Sequence, residues 1–125
     1  MSKLFLLAGA IAGALAVVLG AFGAHSLRGR LSEDLMRAYQ TGVEYQWIHV
    51  LALLVVGLLL QHFTANTLMR WSGFCFLVGM LLFCGSLYGL SLTGIRWFGP
   101  VTPLGGVVWI VGWVMLAIGI FKVEA

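Results

Sequence analysis

The side chains of this sequence that could carry chemistry come in four short groups. They are His25; then Glu44, Tyr45, Gln46 and His49; then Ser86, Tyr88, Ser91 and Thr93; then Thr102. Imidazole is a common ligand of zinc, copper and haem iron, so His25 and His49 raise a metal or haem reading. A structural zinc site wants four ligands, and no second cluster of His or Cys accompanies this pair; Cys84 is expected to lie deeper. The opposing reading is a hydrogen-bond network between helices, the commoner fate of histidine in an apolar bundle. No metal and no cofactor are therefore expected. Glu44 with His49 would suit a proton relay if the carboxyl faced the protein interior. An ion pair with Arg37, seven residues earlier, is the plainer expectation. Ser86 and Ser91 lack a Gly-x-Ser-x-Gly context, and helical serines bond back to the preceding turn. Trp109 and Trp113, one turn apart, have the look of an aromatic platform, but contact with lipid or a neighbouring helix is the expected use. There is no phosphate-binding loop, dinucleotide fingerprint or paired-carboxylate hydrolase pattern.

The elements that must position these residues are four apolar stretches, at about 4–24, 45–62, 71–92 and 101–121. Each is near the roughly 20 residues that cross a hydrocarbon layer of about 30 Å. The expected fold is all-α: four transmembrane helices, up-down-up-down, in one domain covering residues 1–125. Gly9, Gly13, Ala16, Gly20 and Gly23 form a small-residue stripe on the first helix, expected at the bundle centre or at a contact between protomers. Ser32 followed by Glu33 and Asp34 has the form of a helix start. From there nothing except Gly42 interrupts a helix to about Gln61, which is too long for the membrane alone. Its first third is expected to extend past the hydrocarbon, with a bend at Gly42. Pro103 falls early in the fourth helix with Thr102 as its cap. On the second helix Tyr45 and Gln46 lie four and three residues before His49, so both can touch it. Alternation brings all the groups named above to one membrane face, with His49 just below the headgroups. The other face collects less, namely Gln61, His62, Thr64, Asn66, Thr67 and Ser72.

Composition agrees with this arrangement. Hydrophobic residues make up 62% of the chain and charged residues 9%, too little charge to cover a soluble domain. The excess of Lys and Arg over Asp and Glu, seven against four, does not indicate nucleic acid, because the cations stand singly at span ends where lipid headgroups lie. Lys3, Arg70 and Lys122 fall on one side, and Arg28, Arg30, Arg37 and Arg96 on the other. That bias hardly separates the two orientations; the expectation carried forward puts both termini in the cytoplasm. Lys3 and the run ending Ala21-Phe22-Gly23-Ala24 have the shape of a signal peptide, but three spans follow and the segment is expected to be retained. Cys75 and Cys84 are about 13 Å apart along one helix, beyond disulfide reach.

Several of these residues carry a resemblance. Gly20-Ala21-Phe22-Gly23-Ala24-His25, Glu44-Tyr45-Gln46 with His49, Gly85-Ser86-Leu87-Tyr88, and Thr102-Pro103-Leu104-Gly105-Gly106 with Gly112-Trp113 resemble the domain-of-unknown-function 423 family. Bacterial inner-membrane proteins and the eukaryotic transmembrane protein 256 belong to it. The resemblance runs over essentially the whole chain and implies a small four-helix protein of the bacterial inner membrane. It implies no activity. The function expected is a non-enzymatic binding or organising module using His25, Glu44, Tyr45, Gln46, His49, Ser86, Tyr88, Thr93 and Thr102. Its partner would be a lipid headgroup, a small solute or another membrane protein, and a homo-oligomer is expected. A small transporter or channel is the alternative, disfavoured by the nearly unbroken apolar centres of the spans. A haem- or metal-binding membrane protein comes third.

Overall fold

The computed structural model describes residues 1–123. The helices are α1 (Ser2–Phe22), α2 (Glu33–His62), α3 (Thr67–Thr93) and α4 (Val101–Phe121), and the described residues contain no strand. All four are long and apolar enough to cross a membrane. A wide π turn, Gly23–Leu27, prolongs α1, and a short 3-10 turn, Arg96–Phe98, precedes α4.

Local chemistry sets the ends. Ser32 accepts a hydrogen bond from the Leu35 amide at 3.2 Å, with Glu33 and Asp34 in the positive first turn of α2. Asn66 caps α3 by accepting from Met69 N at 3.0 Å. Its amide nitrogen also donates to the Gly119 carbonyl of α4 at 3.1 Å, so one side chain joins two helices. Gly94 ends α3 in the left-handed conformation at φ 72°, returning its N–H to Leu90 O. The cap of α4 differs from expectation: Pro100 holds that position and Thr102 lies inside the first turn. Proline pre-sets the backbone angle for a helix start, which frees the Thr102 hydroxyl for another helix.

Neighbouring helices pack with opposite chain directions. Gly9 faces Leu54, Gly13 faces Val50 and Gly20 faces Val43 across α1 and α2. Across α3 and α4, Gly79 receives the Trp109 ring, Gly105 lies on the Phe83 backbone and Gly112 meets Phe76. A β-carbon at Gly105 would stand 2.9 Å from Phe83 Cα, so only glycine permits that approach. The stripe on α1 is used in the same way, against α2: Gly9, Ala16 and Gly23 are buried there. Gly42 sits within an unbroken α2 and admits the Tyr88 ring, 2.7 Å from where a β-carbon would be.

The core runs through Phe5, Leu53, Val56, Met69, Phe76 and Trp109, all nearly or fully buried. The outward faces of α1 and α4 are aliphatic, with Ile11, Leu15, Val18, Leu104, Val107 and Ile110 exposed. Such surface is compatible with lipid as solvent.

Candidate functional site

Within the helices several of the expected polar residues resolve into separate small groups, each tying two or three helices. Gln46, 4% exposed, donates from Nε2 to the Ala12 carbonyl of α1 at 2.8 Å and accepts from the Tyr88 hydroxyl of α3 at 2.6 Å. One side chain thus bridges three helices. Ser86 and Thr102 share a hydrogen bond of 2.5 Å between α3 and α4, and Ser86 also donates back to Phe83 O. Polar side chains buried between helices need partners there, and these find them in one another or in the carbonyls of a facing helix.

His49 has the most completely determined surroundings. Its Nδ1 lies 2.9 Å from the Tyr45 carbonyl, which can only accept, and its Nε2 lies 3.1 Å from the Trp113 indole nitrogen, which can only donate. The ring is therefore the neutral tautomer protonated at Nδ1. Trp109 stacks on it with centroids 3.6 Å apart and planes 4° from parallel, while Phe76 meets it edge-on. Trp109 in turn donates to Phe76 O at 3.1 Å. Neither His49 nitrogen has a lone pair to offer a metal. Among the described residues no group of three or more His, Cys, Asp or Glu could hold one. Trp109 and Trp113 bracket the centre of α4, so His49 lies level with mid-helix, deeper than its distance from Trp47 suggested.

The remaining expected residues are not in these pairs. His25, Glu44 and Thr93 are exposed, and Thr93 bonds back to Gly89 O. Tyr45 is partly exposed, and its ring lies against Phe83 and Trp109 while its carbonyl serves His49. The Arg37–Glu44 pair does not form: Arg37 reaches Asp34 at 3.9 Å. Seven residues put Glu44 two turns away, whereas three put Asp34 on the adjacent turn. Ser91, like Ser86, bonds to the turn before it, accepting no partner from another helix.

Tyr39 was not among the expected residues. It is 1% exposed, its ring fills the space left by Gly23, and its hydroxyl donates to Leu19 O of α1. A signal existed in the pairing of a lone tyrosine with a glycine at the facing end of α1, but its partner is a backbone carbonyl, which no residue type announces.

Two hollows open beside these contacts. The larger, about 410 Å³, lies between α1 and α3, which touch at Phe5 against Gly73 and then part. Ala8, Ala12 and Leu15 form one wall, Leu81 and Gly85 the other, and Gln46 reaches it from α2. A β-carbon at Gly85 would meet nothing within 4 Å. The smaller, about 240 Å³, lies between the end of α1 and the start of α2.

Four apolar helices joined by short turns, with intramembrane polar groups paired inside, define a small integral membrane protein. The chain belongs to the family described as "Protein of unknown function (DUF423)", whose profile matches residues 19–106. It is similar to UPF0382 membrane proteins: 43% identical over 121 residues to one from Staphylococcus saprophyticus, covering 97% of this chain and 99% of the relative. It is 42% identical over 120 residues to YwdK of Bacillus subtilis, covering 96% and 98%. The same identity and length relate it to a UPF0382 membrane protein of Staphylococcus aureus, covering 96% and 97%. No solved structure matches.

Proposed function

We propose that this protein is a non-enzymatic membrane module that holds a lipid acyl tail between α1 and α3 and so orders the bilayer around it. The supporting observation is the groove of about 410 Å³ left where those helices part, walled mainly by aliphatic side chains and open at Gly85. Hydrocarbon is the only solvent at that depth, and a groove with apolar walls favours a chain that fills it over one that slides past. The absence of engagement at Gly85 adds to this reading, since every other glycine of α3 within the span region is either under a ring or at a close contact, apart from this one.

The reading also rests on what the polar groups are doing. Gln46, Tyr88, Ser86 and Thr102 are spent on one another or on backbone carbonyls, and His49 on the Tyr45 carbonyl and the Trp113 indole. A nucleophile or general base would need to be free to meet a substrate.

Native mass spectrometry of gently extracted protein tests the proposal. The wild type is expected to retain one lipid per chain, and Gly85→Phe, whose β-carbon would meet nothing within 4 Å and whose ring would occupy the groove, is expected to lose it while melting at the same temperature. Equal lipid retention by the two proteins would end this reading.

A further inference from the structure

We infer a second lipid contact, distinct from the acyl groove: the hollow between the end of α1 and the start of α2 binds the ammonium group of an aminophospholipid, with Glu44 as counter-ion.

The argument begins with an unmet charge. Glu44 is exposed, and no cationic side chain among the described residues lies within ion-pair distance of it. The nearest cation on its own helix, Arg37, is turned to Asp34. Depth makes this consequential. Gly20 faces Val43, so Glu44 stands beside α1 four residues before the end of its apolar run at Ala24. An unpaired carboxylate inside the apolar run is costly unless a cation meets it, and a headgroup ammonium drawn down beside α1 would supply one.

The hollow suits a small one. It measures about 240 Å³; α1 and its π turn supply Gly20, Gly23 and Ala24, and α2 supplies Gln40 and Glu44 beside the apolar surfaces of Met36, Tyr39 and Val43. Gly20 leaves room beside the π turn, whereas Gly23 is already covered by the Tyr39 ring. The Tyr39 hydroxyl is committed to Leu19 O, so its ring serves as a wall. Gln40, one turn before Glu44, offers a carbonyl oxygen next to the carboxylate. A primary ammonium has three N–H donors to divide between them. The quaternary ammonium of a choline lipid has none, and a glycerol headgroup carries no cation.

Full-length protein reconstituted in bilayers of equal parts phosphatidylethanolamine, phosphatidylcholine and phosphatidylglycerol, then moved to mild detergent, provides the test. Lipids that remain bound are quantified by mass spectrometry. The wild type is expected to be enriched in phosphatidylethanolamine, and Glu44→Gln to lose that enrichment with helix content unchanged. Gly20→Leu, which fills the hollow and keeps the carboxylate, is expected to lose it as well, and it decides the matter if Glu44→Gln fails to fold. Enrichment that survives both substitutions, or a wild type that retains the three lipids equally, overturns the inference. Gly85→Phe should leave this preference intact, which separates failure here from failure of the acyl groove.

Discussion

The imidazole of His49 and the indole of Trp109 lie face to face, 3.6 Å between centroids and 4° from parallel, at the level of the middle of α4. Stacking at that distance places a polar ring in an aromatic setting while its two nitrogens are met by Tyr45 O and Trp113 Nε1. A lone histidine among apolar helices is thereby held neutral and fixed in orientation.

Trp113→Phe keeps the aromatic volume and removes the N–H that His49 Nε2 accepts. The unfilled lone pair is expected to cost about 1–3 kcal/mol, read as a lower thermal midpoint in detergent. Unchanged stability would show that this bond contributes nothing, and His49→Phe in the same background should then also be silent.

Two glycines on α3 should respond oppositely to one methyl group. At Gly79 a β-carbon runs into the Trp109 ring, and Gly79→Ala is expected to destabilise by about 1–3 kcal/mol as the ring is displaced from His49. At Gly85 the same change meets nothing within 4 Å and is expected to stay within about 0.5 kcal/mol. Parallel melting curves check the contrast; equal losses at both sites would contradict the packing of α4 on α3.

The path of the chain across the bilayer can be read by thiol labelling. In a background with Cys75 and Cys84 replaced by alanine, Arg28→Cys and Trp97→Cys are expected to react with an impermeant reagent from the same side. Thr64→Cys is expected to react from the other. Both Arg28 and Trp97 are exposed in connecting segments, as is Thr64. Opposite accessibility of Arg28→Cys and Trp97→Cys would rule out the alternating path.

Much of the fold was legible because long apolar runs leave a helix no competing structure in lipid. The Ser32 and Asn66 positions show their capping role through residue type, and Ser32 was read that way in advance. The site was harder. Proximity of Gln46 and His49 on α2 follows from helical spacing, but their partners Ala12 O and Trp113 are 34 and 64 residues away. Those partnerships depend on the vertical register of packed helices, and hydropathy is nearly flat along a span, so it carries no register. The glycines do carry it: Gly42 awaits Tyr88, and Gly79 awaits Trp109. Their role as packing residues was readable, while the ring that each one receives was not.

Asn66 has a consequence for how the molecule is assembled. Its oxygen holds the first turn of α3 from within the same stretch of chain, but its nitrogen waits for Gly119, 53 residues later. A ribosome delivers that acceptor last. The bend between α2 and α3 is held from within by Arg70 on Thr64 O and by Asn66 N on Phe63 O, and its tether to α4 forms only after Gly119 has been made.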